Sequence, residues 1–339
     1  MKKLLSLLCV GATVLLTACN PQFDKKTLRL EAMDTFMQCE LYGVDALTVS
    51  EIRTNLQGLD EALSVTQHDG AANEIYNLNQ SGSLTVSDST AELTRQALAL
   101  CADTDGALDI TVLPLVEEWG FLSKNYHIPS KERLAQLLPL VGYDKVHLDG
   151  NTVTLPQGTK IDFGAVAKGY AADVSFGLLK KLGATRAILN LGGTVGAFGE
   201  KEGGKPWRVG IADPDNSAAY MGWLDCRDKI IATSGSYERY FEGDDGKIYS
   251  HILHPQTGVP VDNGILSVTI VSDNGVRSDG LSTALFVMGI EKAAAYYRSH
   301  RDFDYIILTA DKKVYLTPGV AAAFTQANGY DYEVVVSSQ

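Results

Sequence analysis

Residues 161–182 constrain this chain more than any other stretch. Ile161-Asp162-Phe163-Gly164-Ala165-Val166-Ala167-Lys168-Gly169-Tyr170 reads as the end of a strand, a glycine turn and the start of a helix. Val166, Tyr170, Val174, Leu178 and Leu182 follow at four-residue spacing and make one apolar stripe. The first amides of such a helix have no intrahelical partner and sit at the positive end of its dipole. Phosphate oxygens are therefore favoured there, and Lys168 adds a full charge one turn in. A plain strand-to-helix connection with a solvated lysine fits the same residues, so other stretches must decide.

The chain opens with Lys2-Lys3, an apolar run from Leu4 to Leu16, and then Leu16-Thr17-Ala18-Cys19. A basic start, a short apolar run and small residues make an export signal. The run is too short for a comfortable membrane span, and the Leu-Thr-Ala-Cys order resembles the lipobox of bacterial lipoproteins. The expected organisation is a signal over 1–18, a lipidated Cys19 opening a tether over 19–26, and one intertwined folded unit over 27–339. That places the body at the cell membrane, lipid-anchored and facing the extracytoplasmic side. The formal charge is −12, and becomes more acidic once Lys2 and Lys3 are removed. Bulk electrostatics thus argue against nucleic acid, and a polyanionic substrate would need local help such as a metal ion. Cys39, Cys101 and Cys226 are odd in number and widely spaced, so buried thiols are expected rather than disulfides or a zinc site.

Along the chain, Leu28 to Leu41 predicts a strand pair and Val44 to Leu63 a helix. Glu74 to Asn79 reads as a loop-like edge, with a second helix from about Thr90 to Ala102. Thr104 to Thr111 packs polar groups around Ala107-Leu108, which suits a turn closed by a self-bonded Asp. Leu113 to Phe121 reads as irregular, Lys131 to Leu140 as a short helix, and Asp149-Gly150 as a hairpin turn. Arg186 to Thr194 is a strand running into Gly192-Gly193, where backbone can approach a ligand or simply turn. Thr233 to Tyr240 gathers hydroxyls, a carboxylate and a guanidinium, and His251 and His254 follow without a zinc pattern. Asp279 reads as the N-cap of a helix to about Arg298. Asp279 and Thr283 also offer two oxygens one turn apart, which suits a hard cation such as magnesium. Phe303 to Leu316 closes as a hairpin.

Taken in order, several motifs resemble the ApbE family of FAD:protein FMN transferases. They are Met33-Asp34-Thr35, Asp105 to Thr111, Pro114-Leu115-Val116 with Trp119-Gly120-Phe121, Asp162 to Tyr170, Leu189 to Gly193, Ser234 to Arg239, His251 to Gly258 and Ser278 to Leu285. The resemblance covers nearly all of the chain after the signal. It implies an α+β fold, related to the T-fold, with two interlocked lobes and a central flavin cleft. It implies a magnesium-dependent transferase that splits FAD, releases AMP and leaves FMN on a threonine or serine of an extracytoplasmic domain of a redox protein. Met33, Ala107, Leu108, Asp109, Asp162 and Lys168 would line the FAD cleft, with Gly192, Gly193 and Thr194 close by. Ala165, Asp279, Ser282 and Thr283 would hold the metal, and His251 would take the acceptor's proton. Asp34 and His254 stand where glycine and aspartate are frequent in the family, and Ser282 where some members carry a second aspartate. Two alternatives share or borrow this site: an FAD pyrophosphatase giving FMN and AMP, and a non-catalytic flavin-binding lipoprotein.

Overall fold

A computed structural model of the protein describes residues 25–66 and 72–337. The expected signal and Cys19 lie outside the described residues. Nine strands form one sheet in the order Lys25–Ala32, Thr35–Tyr42, Arg186–Asn190, Thr194–Phe198, Lys229–Gly235, Ile265–Ser272, Asp304–Thr309, Lys313–Leu316 and Glu333–Val336. Every neighbouring pair is antiparallel except the last. Strands from both ends of the sequence are needed to complete it. The mixture of helices with an antiparallel sheet is the expected α+β class.

The central strands are apolar on both faces, because each is covered from two sides. Ile230, Ile270 and Ile307 point into a core shared with helices Ala46–Leu63, Ala167–Lys181 and Gly275–Met288. Their neighbours Ile231, Val271, Ile306 and Leu308 point the other way, into a core with Trp207, Val209, Ile211 and Leu224. Those partners come from a three-stranded sheet of Trp207–Asp213, Asn216–Cys226 and Phe324–Gln326. A third, smaller cluster of Leu115, Trp119, Phe121, Leu134, Leu137 and Leu253 supports the turn after His251. Cys39, Cys101 and Cys226 are free and buried, and burial pushes each thiol up to about 12. No helix among the described residues is long and apolar enough to cross a membrane.

Several local expectations change. Glu74–Ser81 is a helix rather than a loop: Ile75 and Leu78 bury one side, and Gly82 at φ 73° closes it with its amide on the Leu78 carbonyl. Leu113–Glu118 is also a short helix, with Pro114 in its first turn, where no amide is missed. The helix carrying Asp279 begins at Gly275, with Asn274 as its N-cap, so Asp279 stands in its second turn and does not cap it. That helix ends at Met288, because Gly289 at φ 79° breaks it before Ile290–His300. The stripe on the Ala167–Lys181 helix is also broader than expected: small residues Gly169, Ala171, Ala172 and Ser175 are buried beside Tyr170.

Candidate functional site

The two helices singled out by sequence cross at their starts, and each supplies what the other's first turn lacks. Asp173 accepts the amides of Gly275 at 2.7 Å and Val276 at 3.1 Å, and Asn274 accepts that of Arg277 at 2.7 Å. In return Asp279 Oδ2 accepts the Gly169 amide at 2.8 Å. Each carboxylate therefore serves the positive end of a helix other than its own. Asp279 is only 5% exposed, and burial raises its carboxyl above the usual range against the pull of Lys168.

A layer of hydroxyls surrounds this carboxylate. Thr194 Oγ1 stands 3.5 Å from Asp279 Oδ1, and the buried Ser282 hydroxyl donates to the Asp279 carbonyl at 2.6 Å. Ser234, at the end of its strand, lies 2.7 Å from the Ser282 hydroxyl and 3.0 Å from that of Thr283. Gly192 and Gly193 take φ 75° and 84°, and a Cβ on Gly192 would stand 2.1 Å from Thr35 Oγ1. Only glycine fits that position. Glu238 Oε1 lies 3.7 Å from where a Cβ on Gly193 would stand, and both Lys168 and Asp279 act on its charge.

Across from this corner, Arg239 holds His251. The Arg239 carbonyl accepts the His251 backbone amide at 3.0 Å and lies 3.1 Å from Nδ1. A carbonyl can only accept, so Nδ1 carries the ring proton and Nε2 presents its lone pair. Burial, then the Arg239 and Lys168 charges, push the imidazole down to about 4. Asp162 caps its own turn through the Gly164 amide at 2.8 Å and feels the same two cations.

These groups are brought together from residues 162–169, 192–194, 234–239, 251 and 279–283, which the chain keeps far apart. A family profile for ApbE matches residues 33–307. The chain belongs to the ApbE family. It is 35% identical over 284 residues to an FAD:protein FMN transferase of Escherichia coli, covering 79% of this chain and 80% of that protein. A protein of the same name from Salmonella typhimurium is 33% identical over 318 residues, covering 86% of this chain and 88% of its own. The crystal structure of the ApbE protein of Thermotoga maritima superposes with a TM-score of 0.77 at 30% identity, over 90% of this chain and 97% of that one. The flavin transferase ApbE of Vibrio cholerae does so with a TM-score of 0.75 at 28% identity, over 90% and 97%.

Within this ApbE chain the remaining expected site residues have distinct surroundings. Met33 sits at the tip of the first hairpin at φ 52°, with its amide on Asp60 Oδ1 at 2.6 Å. The Ala107-Leu108-Asp109 segment turns its larger side chains inward. Leu108 is 2% exposed, and Asp109 accepts the Thr111 amide at 2.8 Å, its hydroxyl at 2.6 Å and the Tyr143 amide at 3.0 Å. A ligand at this segment would meet mainly its backbone. Sequence reasoning assigned no role to Asp173, Ser234, Glu238 or Arg239. The run Ser234-Gly235-Ser236-Tyr237-Glu238-Arg239 carried a signal in its density of polar groups at a strand end. Asp173 carried none, because an aspartate inside a helix ordinarily faces water.

Proposed function

We propose that this ApbE protein is a magnesium-dependent FAD:protein FMN transferase. It moves FMN from FAD to a threonine or serine hydroxyl on an extracytoplasmic domain of a redox protein and releases AMP. The observation that carries this reading is the 2.8 Å contact between Asp279 and the Gly169 amide, which sets that carboxylate against the start of the helix carrying Lys168, so that an anion for a cation and a cation for phosphate stand side by side. The names of the Escherichia coli and Salmonella relatives support the reaction class.

The donor set suits a hard cation. Among the described residues no three His, Cys, Asp or Glu side chains gather as a metal cluster. One carboxylate, Asp279, has the Thr283 hydroxyl one turn on, and in this reading the Ala165 carbonyl and the Ser282 carbonyl or hydroxyl would complete the oxygen set. Magnesium held there would neutralise phosphate charge and align the displacement.

The protein's own groups do the rest. Lys168 holds phosphate oxygens by its charge, because the Ala167 and Gly169 amides at the start of its helix are already taken by the Phe163 carbonyl and by Asp279. The acceptor hydroxyl oxygen bonds to the phosphorus of the FMN half while that phosphorus parts from the bridging oxygen, which leaves with AMP. The hydroxyl proton passes to Nε2 of His251, kept free by the Nδ1 contact with Arg239. Cys19, outside the described residues, anchors the protein to the outer face of the membrane through its lipid.

Incubation of the purified protein with FAD and magnesium, with and without an acceptor domain carrying an accessible threonine, tests the reading. Mass spectrometry of the acceptor should show an added FMN, with AMP formed in step. AMP with free FMN and no acceptor would instead mark a pyrophosphatase, and bound FAD without AMP a storage protein. A Cys19→Ser chain should lose its acyl mass and partition into the soluble fraction; one that stays lipidated would remove the anchor.

A further inference from the structure

We propose that Arg239 grips the pyrophosphate of the flavin dinucleotide, and that Asp34 holds the guanidinium in reserve until the dinucleotide arrives. This rests on the transferase reading and gives its substrate a second protein cation beside Lys168. The backbone of Arg239 is fixed, because its carbonyl takes both N–H groups of His251, at 3.0 Å and 3.1 Å. Its side chain is not fixed. It is 50% exposed and reaches Asp34 Oδ2 only at 3.7 Å, with Asp34 84% exposed, and this is its sole ion pair among the described residues. A loose, solvated pair of this kind contributes little and exchanges readily for a phosphate, which a guanidinium binds through two parallel hydrogen bonds.

The position of the guanidinium is set by what it faces. Thr35, next to Asp34, packs against Gly192, and the carboxylate of Glu238, next to Arg239, lies beside Gly193, so the Arg239–Asp34 pair stands at the Gly192-Gly193 turn, where the charges of Arg239 and Lys168 both reach Asp162 and His251. A pyrophosphate carries two negative charges, and these two cations match it. Asp34 itself is held at φ 55° beside Met33 at φ 52°, a two-residue turn in which glycine would be relaxed. Its carboxylate competes with the substrate for Arg239.

The test measures flavin affinity by fluorescence quenching on the full chain, for FAD and for riboflavin, which has no phosphate. Arg239→Ala should weaken FAD at least tenfold and leave riboflavin unchanged, and Arg239→Lys should restore only part of the loss. Asp34→Gly should tighten FAD severalfold at low salt, and that gain should vanish in the Asp34→Gly/Arg239→Ala double variant. Arg239→Ala with wild-type FAD affinity, or with FAD and riboflavin weakened alike, would overturn the proposal while wild-type transfer continued. A wild-type chain that binds no FAD would overturn the transferase reading and this proposal together.

Discussion

Gly169 and Gly275 pack backbone against backbone: a Cβ on either would stand 2.0 Å from the other's carbonyl oxygen. This contact lets the two helices approach closely enough for Asp173 and Asp279 to exchange caps. The corner that binds phosphate and cation in our reading therefore depends on two hydrogen atoms in place of side chains.

Gly169→Ala should be costly, because backbone cannot rotate away from an added methyl. Overpacking of this kind costs about 3 kcal/mol, and urea denaturation would measure it. Gly177, on the same helix, has nothing within 4 Å of an added Cβ. Gly177→Ala should stabilise by roughly 0.5–1 kcal/mol through helix propensity. Equal effects at the two positions would remove the close-packing account.

Asp279→Asn separates structure from chemistry. An amide oxygen can still accept from Gly169, so the melting transition should stay within about 1 kcal/mol of wild type. Magnesium-dependent turnover should fall at least a hundredfold, since a neutral oxygen replaces the only carboxylate proposed to face the ion. Removal of magnesium by a chelator should abolish turnover in the wild type. Full activity in Asp279→Asn would eliminate the cation site.

The pH dependence should carry the mark of His251. Its folded value of about 4 lies below the ordinary histidine value of 6.5. Between the two the unfolded chain binds a proton that the folded chain does not. The associated stability is complete above about 6.5 and declines as pH falls toward about 4. His251→Gln should flatten that slope in denaturation measured from pH 4 to 7. In wild type, the acid limb of kcat/KM assigned to this group should fall near 4, and a limb near 6.5 that disappears in His251→Gln would contradict the geometry.

Trp119→Phe tests the support under the His251 turn. The buried indole donates from Nε1 to the Gly258 carbonyl at 2.7 Å. Losing that donor leaves the carbonyl unpaired and should cost about 1–3 kcal/mol. Turnover should fall through kcat more than through FAD affinity, because the loop bearing His251, the proton acceptor in our reading, loosens while the surroundings of Lys168 are untouched. Wild-type stability and kcat together would show the bond to be dispensable.

Periodicity and turn chemistry were enough to read the first strand pair, the Ala46–Leu63 and Asp88–Asp103 helices, the Asp149-Gly150 hairpin and the glycine-flanked start at Ala167. These are local: each is decided by the residues inside it. The Glu74–Ser81 helix escaped because its polar sequence buries only Ile75 and Leu78, too few to show a period. Asp279 was read as a cap because an acidic residue before an apolar run usually is one. Asn274 does that work five residues before the expected cap, and only the other helix reveals where Asp279 points.

By itself, then, the sequence determined the first strand pair, the positions of the main helices and the Asp149-Gly150 turn, and its motifs in order carried the family resemblance and with it the class of fold. Tertiary structure decided which of these meet. Asp173 with Gly275, Arg239 with His251 and Asp34, and Ser234 with Thr283 are contacts between separate segments. Their geometry is set by a nine-stranded sheet whose order is not the order of the chain. Hydrophobic spacing fixes which face of an element is buried, but it carries no information about which distant element will bury it.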